Sequence, residues 1–160
     1  MNKIIRVLGL MLAVSHVNAE DLNENKIYFG GGFSLNDAGF SDNATGFQVF
    51  AGFPLPVKVE NVNLSVGVGY MDSGDFDRRV SAFDSNLLKA NGLWGTAVAD
   101  IPLQGDLSAI GRIGLDIGDD DGVMIGAGVS FTLNEQAALR IEYVVRDTID
   151  SLQLNLVFRQ

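Results

Sequence analysis

The 160-residue chain contains no cysteine and one histidine, His16. The lack of cysteine excludes disulfide stapling, a lipid-modified cysteine anchor and a thiol nucleophile. His16 itself falls in MNKIIRVLGLMLAVSHVNA, residues 1–19, where Lys3 and Arg6 accompany an apolar run from Ile4 to Val14 and small residues follow. That pattern reads as a cleaved secretory signal peptide, too short to span a bilayer, with Glu20 as the expected mature start. The mature chain then has no histidine either, which removes the usual general base and the commonest metal ligand. Lysine is also scarce, with only Lys26, Lys58 and Lys89 beyond residue 19. Loss of Lys3 and Arg6 takes the formal net charge from -9 to -11, a poor match for nucleic-acid phosphates. Three prolines and well-scattered glycines leave no linker or low-complexity segment, so residues 20–160 fit a single domain.

What the chain does have is alternation. Beyond residue 25, eight runs set large apolar residues against small or polar ones with the period of two that marks strands with unlike faces. In the clearest, Val62 to Met71, Val62, Leu64, Val66, Val68 and Tyr70 oppose Asn63, Ser65, Gly67, Gly69 and Met71. Lys26 to Ser34 places Ile27, Phe29 and Phe33 opposite Tyr28, Gly30 and Gly32. Thr45 to Phe53 does the same, except for Phe50, which falls on the polar side. In Leu88 to Asp100 the pattern blurs, and Lys89 and Asn91 are taken to oppose an apolar face of Leu88, Trp94 and Val98. The runs from Leu107, Val123 and Leu139 are regular, and the last is SLQLNLVFRQ, residues 151–160.

The connections alternate as well. Those after runs one, three, five and seven are acidic (NDAGFSDN, DSGDFDRRVSAFDSN, GDDDG, RDTID). Those after two, four and six (PLPVKVEN, IPLQGD, LNEQ) are short and hold Pro54, Pro56 and Pro102. Eight strands with two kinds of end predict an all-β fold, an eight-stranded antiparallel up-and-down transmembrane β-barrel with both termini at the non-acidic end.

A period of two does not say which face is buried, and a soluble lipocalin-like binding barrel shares the pattern. Volume decides for the membrane form. An eight-stranded barrel has room inside for little more than its own side chains, and the non-apolar face here is rich in Gly, Ser, Asn and Thr. A water-facing surface would instead carry interspersed Lys and Glu. The apolar runs have the roughly nine to eleven residues that a tilted strand needs to cross a bilayer, and closure leaves no unpaired edge in lipid.

With its signal peptide, its eight alternating runs, the stretch GFQVFAGFPLP (Gly46 to Pro56) and the final LQLNLVF, the chain resembles the small eight-stranded bacterial outer-membrane barrels. It is similar to the transmembrane domain of outer membrane protein A. The resemblance spans the mature chain and implies the cell outer membrane as location, with lipid, lipopolysaccharide and the barrel-assembly machinery as partners. Members usually end on an aromatic residue read by that machinery, whereas Phe158 here precedes Arg159 and Gln160.

No set of residues amounts to a named catalytic chemistry, and neither an enzyme activity nor a cofactor is expected. The charges assigned to the lumen are Lys89, Arg112, Asp116, Arg140, Glu142 and Arg146. In so narrow an interior they must pair or be bridged by water. Arg112 and Asp116 lie about 13 Å apart along one strand at roughly 3.3 Å per residue, so their partners are expected on other strands. A polar plug is the favoured reading, with a narrow porin-like channel or an Asp116–Glu142 carboxylate pair as alternatives. The one long outer loop, residues 72–87, offers Asp72, Asp75, Asp77, Arg78, Arg79 and Asp84 for contact with a surface ligand. Its carboxylates lack EF-hand spacing and read as a solvated face bridged to lipopolysaccharide by divalent ions. Phe53, Phe131 and Phe158 suit an interfacial aromatic belt, and Trp94 and Tyr143 are read as lipid-facing or girdle residues. A monomer is expected.

Overall fold

The computed structural model describes residues 27–39, 43–76 and 90–160. Eight strands follow in order: β1 (Tyr28–Asp37), β2 (Ala44–Val59), β3 (Val62–Asp72), β4 (Asn91–Pro102), β5 (Leu107–Gly118), β6 (Gly122–Asn134), β7 (Ala137–Val145) and β8 (Asp150–Arg159). Each pairs antiparallel with its sequence neighbour, and β8 returns to β1 to close the barrel. Closure matters because an unpaired backbone N–H or C=O cannot be hydrated inside a bilayer. At the seam, Phe29 faces Phe158 and Gly31 faces Leu156. Beyond Phe158, the Gln160 amide extends this closure by donating to the Ile27 carbonyl at 3.1 Å, and on the β7 side of β8 the Arg159 amide donates to the Gln136 carbonyl at 2.8 Å.

The alternation places the apolar stripe outside. Phe33 and Ile117 are each 71 % exposed, whereas Gln48, Glu142 and Asn155 are at most 2 % exposed. In β8, Leu152, Leu154, Leu156 and Phe158 point outward and Ser151, Gln153, Asn155 and Val157 inward. A water-soluble barrel would show the reverse.

Two expectations are corrected. In β4 the phase is inverted: Trp94 and Val98 are buried in the lumen, while Leu93 is among the exposed residues. Both faces of NGLWGTAVADIP carry apolar residues, so hydropathy alone does not phase this strand. Lys89, whose placement in the lumen rested on that inverted phase, lies outside the described residues. The prolines are not in the turns either. β2 runs through Pro54 and Pro56 to Val59, with its register shifted between Pro54 and Lys58, and β4 ends on Pro102. A residue without an N–H is tolerated where the ladder is already broken or ending. The β2–β3 turn is Glu60–Asn61, where Glu60 adopts a φ of 54°, the left-handed conformation that tight hairpin turns require.

Candidate functional site

The lumen is packed by size complementarity across strands. Phe50 has Gly30 on one side and Gly69 on the other, and Gly69 in turn faces Trp94. A Cβ added at Gly69 would lie 2.5 Å from Trp94 Cζ2 and 2.8 Å from Phe50 Cβ. The glycines thus give up their own volume to bulky neighbours, which explains the exception that Phe50 made in the sequence. Tyr28, Phe50, Met71, Trp94, Met124, Val144 and Val157 form one buried cluster inside the barrel, with the Phe50 and Trp94 rings 5.7 Å apart.

Among these side chains lie the charges. Arg112 on β5 reaches over β6 to Glu142 on β7: Nη2 donates to Oε1 at 3.0 Å, and Nε lies 2.9 Å from Oε2. The crossing is possible because β6 presents Gly126 and Gly128 there; a Cβ at Gly126 would meet Arg112 Cγ at 2.8 Å. The Arg112 guanidinium also lies 5.3 Å from the Trp94 ring centroid, a cation–π contact. A second pair repeats the pattern with the strands' charges exchanged. Arg146, just after β7, donates from Nε to Asp116 Oδ2 on β5 at 3.0 Å. Its Nη1 donates to Ser151 Oγ at 2.8 Å, and Ser151 donates to Asn36 Oδ1 at 2.6 Å. Arg112 and Asp116 on β5 and, with the same four-residue spacing, Glu142 on β7 and Arg146 just beyond it therefore form two pairs that each span β6. Asp116 and Glu142 are each held by a different arginine. A further amide set lies beside them, with Gln48 Nε2 donating to Gln153 Oε1 at 2.8 Å and Asn155 Oδ1 at 2.7 Å.

Towards the end with the acidic connections, a small apolar cluster of Ala38, Ala44, Phe76, Ala90 and Ile149 covers the lumen. Asp120 fixes the β7–β8 connection by accepting from the amides of Thr148 at 2.9 Å and Ile149 at 3.1 Å. Ser73 ties the ends of β3 and β4 together: its amide donates to the Ala90 carbonyl, and its hydroxyl accepts from the Ala90 amide, both at 2.8 Å. Of the loop candidates, Asp72 accepts from the Gly74 amide at 3.0 Å and Asp75 is exposed. Asp77, Arg78, Arg79 and Asp84 lie outside the described residues. Among the described residues, no group of three or more carboxylates gathers as metal ligands.

The opposite end, which holds Ile27 and Gln160, is open. A cavity of about 740 Å³ extends inward to Tyr28 and Arg140. Arg140 is buried, 4 % exposed, and its guanidinium lies 5.8 Å from the Tyr28 ring centroid. The five lumen charges within the described residues therefore divide into two ion pairs and Arg140, a division that spacing along the chain does not reveal. Sequence reading also missed Trp94 as a lumen residue; the available signal was its facing glycine, Gly69, two strand positions before the buried Met71. The most exposed aromatics are Phe29, Phe33, Phe47, Phe131, Tyr143 and Phe158, while Phe53, the remaining belt candidate, is half-buried; the Tyr143 hydroxyl donates to Asp150 Oδ2 at 2.9 Å.

A family model described as the outer membrane protein beta-barrel domain matches residues 7–157. No curated protein sequence matches the chain. Among solved structures, the chain is similar to a de novo designed transmembrane β-barrel, with a TM-score of 0.56 and 14 % identity over 84 % of this chain and 95 % of the other. It is also similar to the Yersinia pestis outer membrane protein Ail in a phospholipid bilayer nanodisc, with a TM-score of 0.54 and 11 % identity over 86 % of this chain and 100 % of that one. At these identities the likeness is one of fold.

Proposed function

The chain belongs to the outer membrane protein β-barrel domain family, and from that premise we propose a non-conducting barrel whose role is structural, or one of surface contact, with no catalytic activity. The observation that carries this reading is the filled lumen: the aromatic cluster around Phe50 and Trp94, backed by the Arg112–Glu142 and Arg146–Asp116 pairs. A permeation path would have to break two buried ion pairs, each of which costs about 3–5 kcal/mol when one partner is removed. Purified protein in planar lipid bilayers tests it. No defined conductance steps are expected, and stable single-channel steps would establish the narrow-pore alternative.

Contact with the surroundings then falls to the acidic end, which faces outward from the cell in this reading. Residues 72–87, with Asp72, Asp75, Asp77, Arg78, Arg79 and Asp84, are the proposed surface-contact segment, bridged to lipopolysaccharide by divalent ions. The Ser73–Ala90 clasp supports a loop that can change without unseating β3 from β4. The proposal also includes removal of residues 1–19 as a signal peptide, folding by the barrel-assembly machinery and a monomeric state. Sequencing the N-terminus of the membrane-extracted protein checks the cleavage after Ala19.

A further inference from the structure

Three arginines are buried in the described lumen, and two of them hold a carboxylate. Arg140 is the third. Among the described residues it meets no carboxylate, and its Nε, fully buried, has no acceptor. Leaving a buried cation without a counter-charge is expensive, and this one stands at the inner end of the open cavity, where the cavity meets Tyr28 of the packed cluster. A guanidinium fork is suited to planar, two-point recognition of a carboxylate. The cavity's volume, about 740 Å³, is that of a small-molecule site.

The wall narrows the choice of anion. Asp100, Asp106 and Glu135 line the same cavity, against Arg140 and Arg159. A multiply charged anion would be repelled by that excess of carboxylates, whereas a ligand with one negative and one positive group satisfies both. Ser65 and Ser108 add hydroxyls, and Leu55 adds apolar wall.

We propose that this vestibule binds a small zwitterion of the amino-acid or short-peptide class, its carboxylate on Arg140 and its ammonium group towards Asp100, Asp106 and Glu135. Access is from the end that carries the termini. The site is independent of which way the barrel is oriented in the membrane, and it requires no passage through the lumen.

The test is calorimetric titration of the folded protein in a non-ionic detergent, where both barrel ends are accessible. The ligands are alanyl-alanine, N-acetylalanine, alanine amide and inorganic phosphate. Saturable binding of alanyl-alanine is expected, at least tenfold tighter than that of any of the other three. Arg140→Gln should weaken it at least tenfold, and Asp100→Asn should weaken alanyl-alanine while leaving N-acetylalanine unchanged. The heated-versus-unheated gel shift shows that each variant is folded; if Arg140→Gln is not, Arg140→Lys, which keeps the charge but loses the fork, takes its place with the same expected loss. Absence of alanyl-alanine binding, binding indifferent to both Arg140 variants, or phosphate binding as tight as the dipeptide's would overturn the proposal.

Discussion

The two faces of this barrel are built from alternate residues of the same strands, yet they obey different rules. Outward positions need only be apolar: Val, Leu, Ile and Phe occur side by side, and Phe33, Val68 and Ile117 are among the most exposed side chains of the barrel. Lumen positions are specified one by one, because bulky or charged side chains such as Phe50, Trp94 and Arg112 use space that neighbouring glycines give up. Lipid is a solvent that accommodates shape, while a narrow, close-packed interior does not.

The contrast can be broken most forcefully at the ion pairs. Arg112→Ala should destabilise the barrel by about 3–5 kcal/mol, since it leaves Glu142 buried and unpaired. The double change Arg112→Met with Glu142→Leu should recover most of that loss. Urea midpoints of protein refolded in lipid vesicles measure both; equal losses in the single and double variants would mean that the pair is not a unit. On the outward face, Leu154→Arg should cost about 2–4 kcal/mol if Leu154 sits near the bilayer midplane, and Leu154→Val very little. Were Leu154→Arg neutral, this face would not lie in lipid. The smallest effect is the sharpest comparison, between two glycines on opposite faces. Gly69→Val should overpack Trp94 and Phe50 and cost about 1–3 kcal/mol. At Gly111 an added Cβ meets nothing within 4 Å, so Gly111→Val should stay within about 0.5 kcal/mol of the wild type.

These rules also explain which features could be read from the sequence. Where one face is uniformly apolar and the other uniformly small, as in Val62 to Met71, alternation alone orients the strand. It fails in β4, where Leu93 and Trp94 are adjacent and both apolar, because the environment of Trp94 is set by Gly69 on another strand. The prolines misled for a related reason. Pro54 and Pro56 signal a turn, but they sit in a bulged strand end whose register is set by β3. Of the lumen charges, Arg112, Asp116, Arg140, Glu142 and Arg146 were legible from their positions on the inward face, whereas Lys89 was assigned on the inverted β4 phase and lies outside the described residues. Their division into Arg112–Glu142, Arg146–Asp116 and a separate Arg140 was not legible, because each pair spans β6 and joins residues 30 apart in the chain.

The sequence by itself determined the class of this protein: a chain without cysteine, eight alternating strands, and a glycine-rich face that turns inward. These are local properties, fixed by side-chain period and by volume. Tertiary structure alone decided which arginine finds which carboxylate, which glycine makes room for Phe50 and Trp94, and which end of the lumen is filled and which is open. Those outcomes depend on register around a closed ring, where one strand's inward residue is defined by what the neighbouring strands present to it.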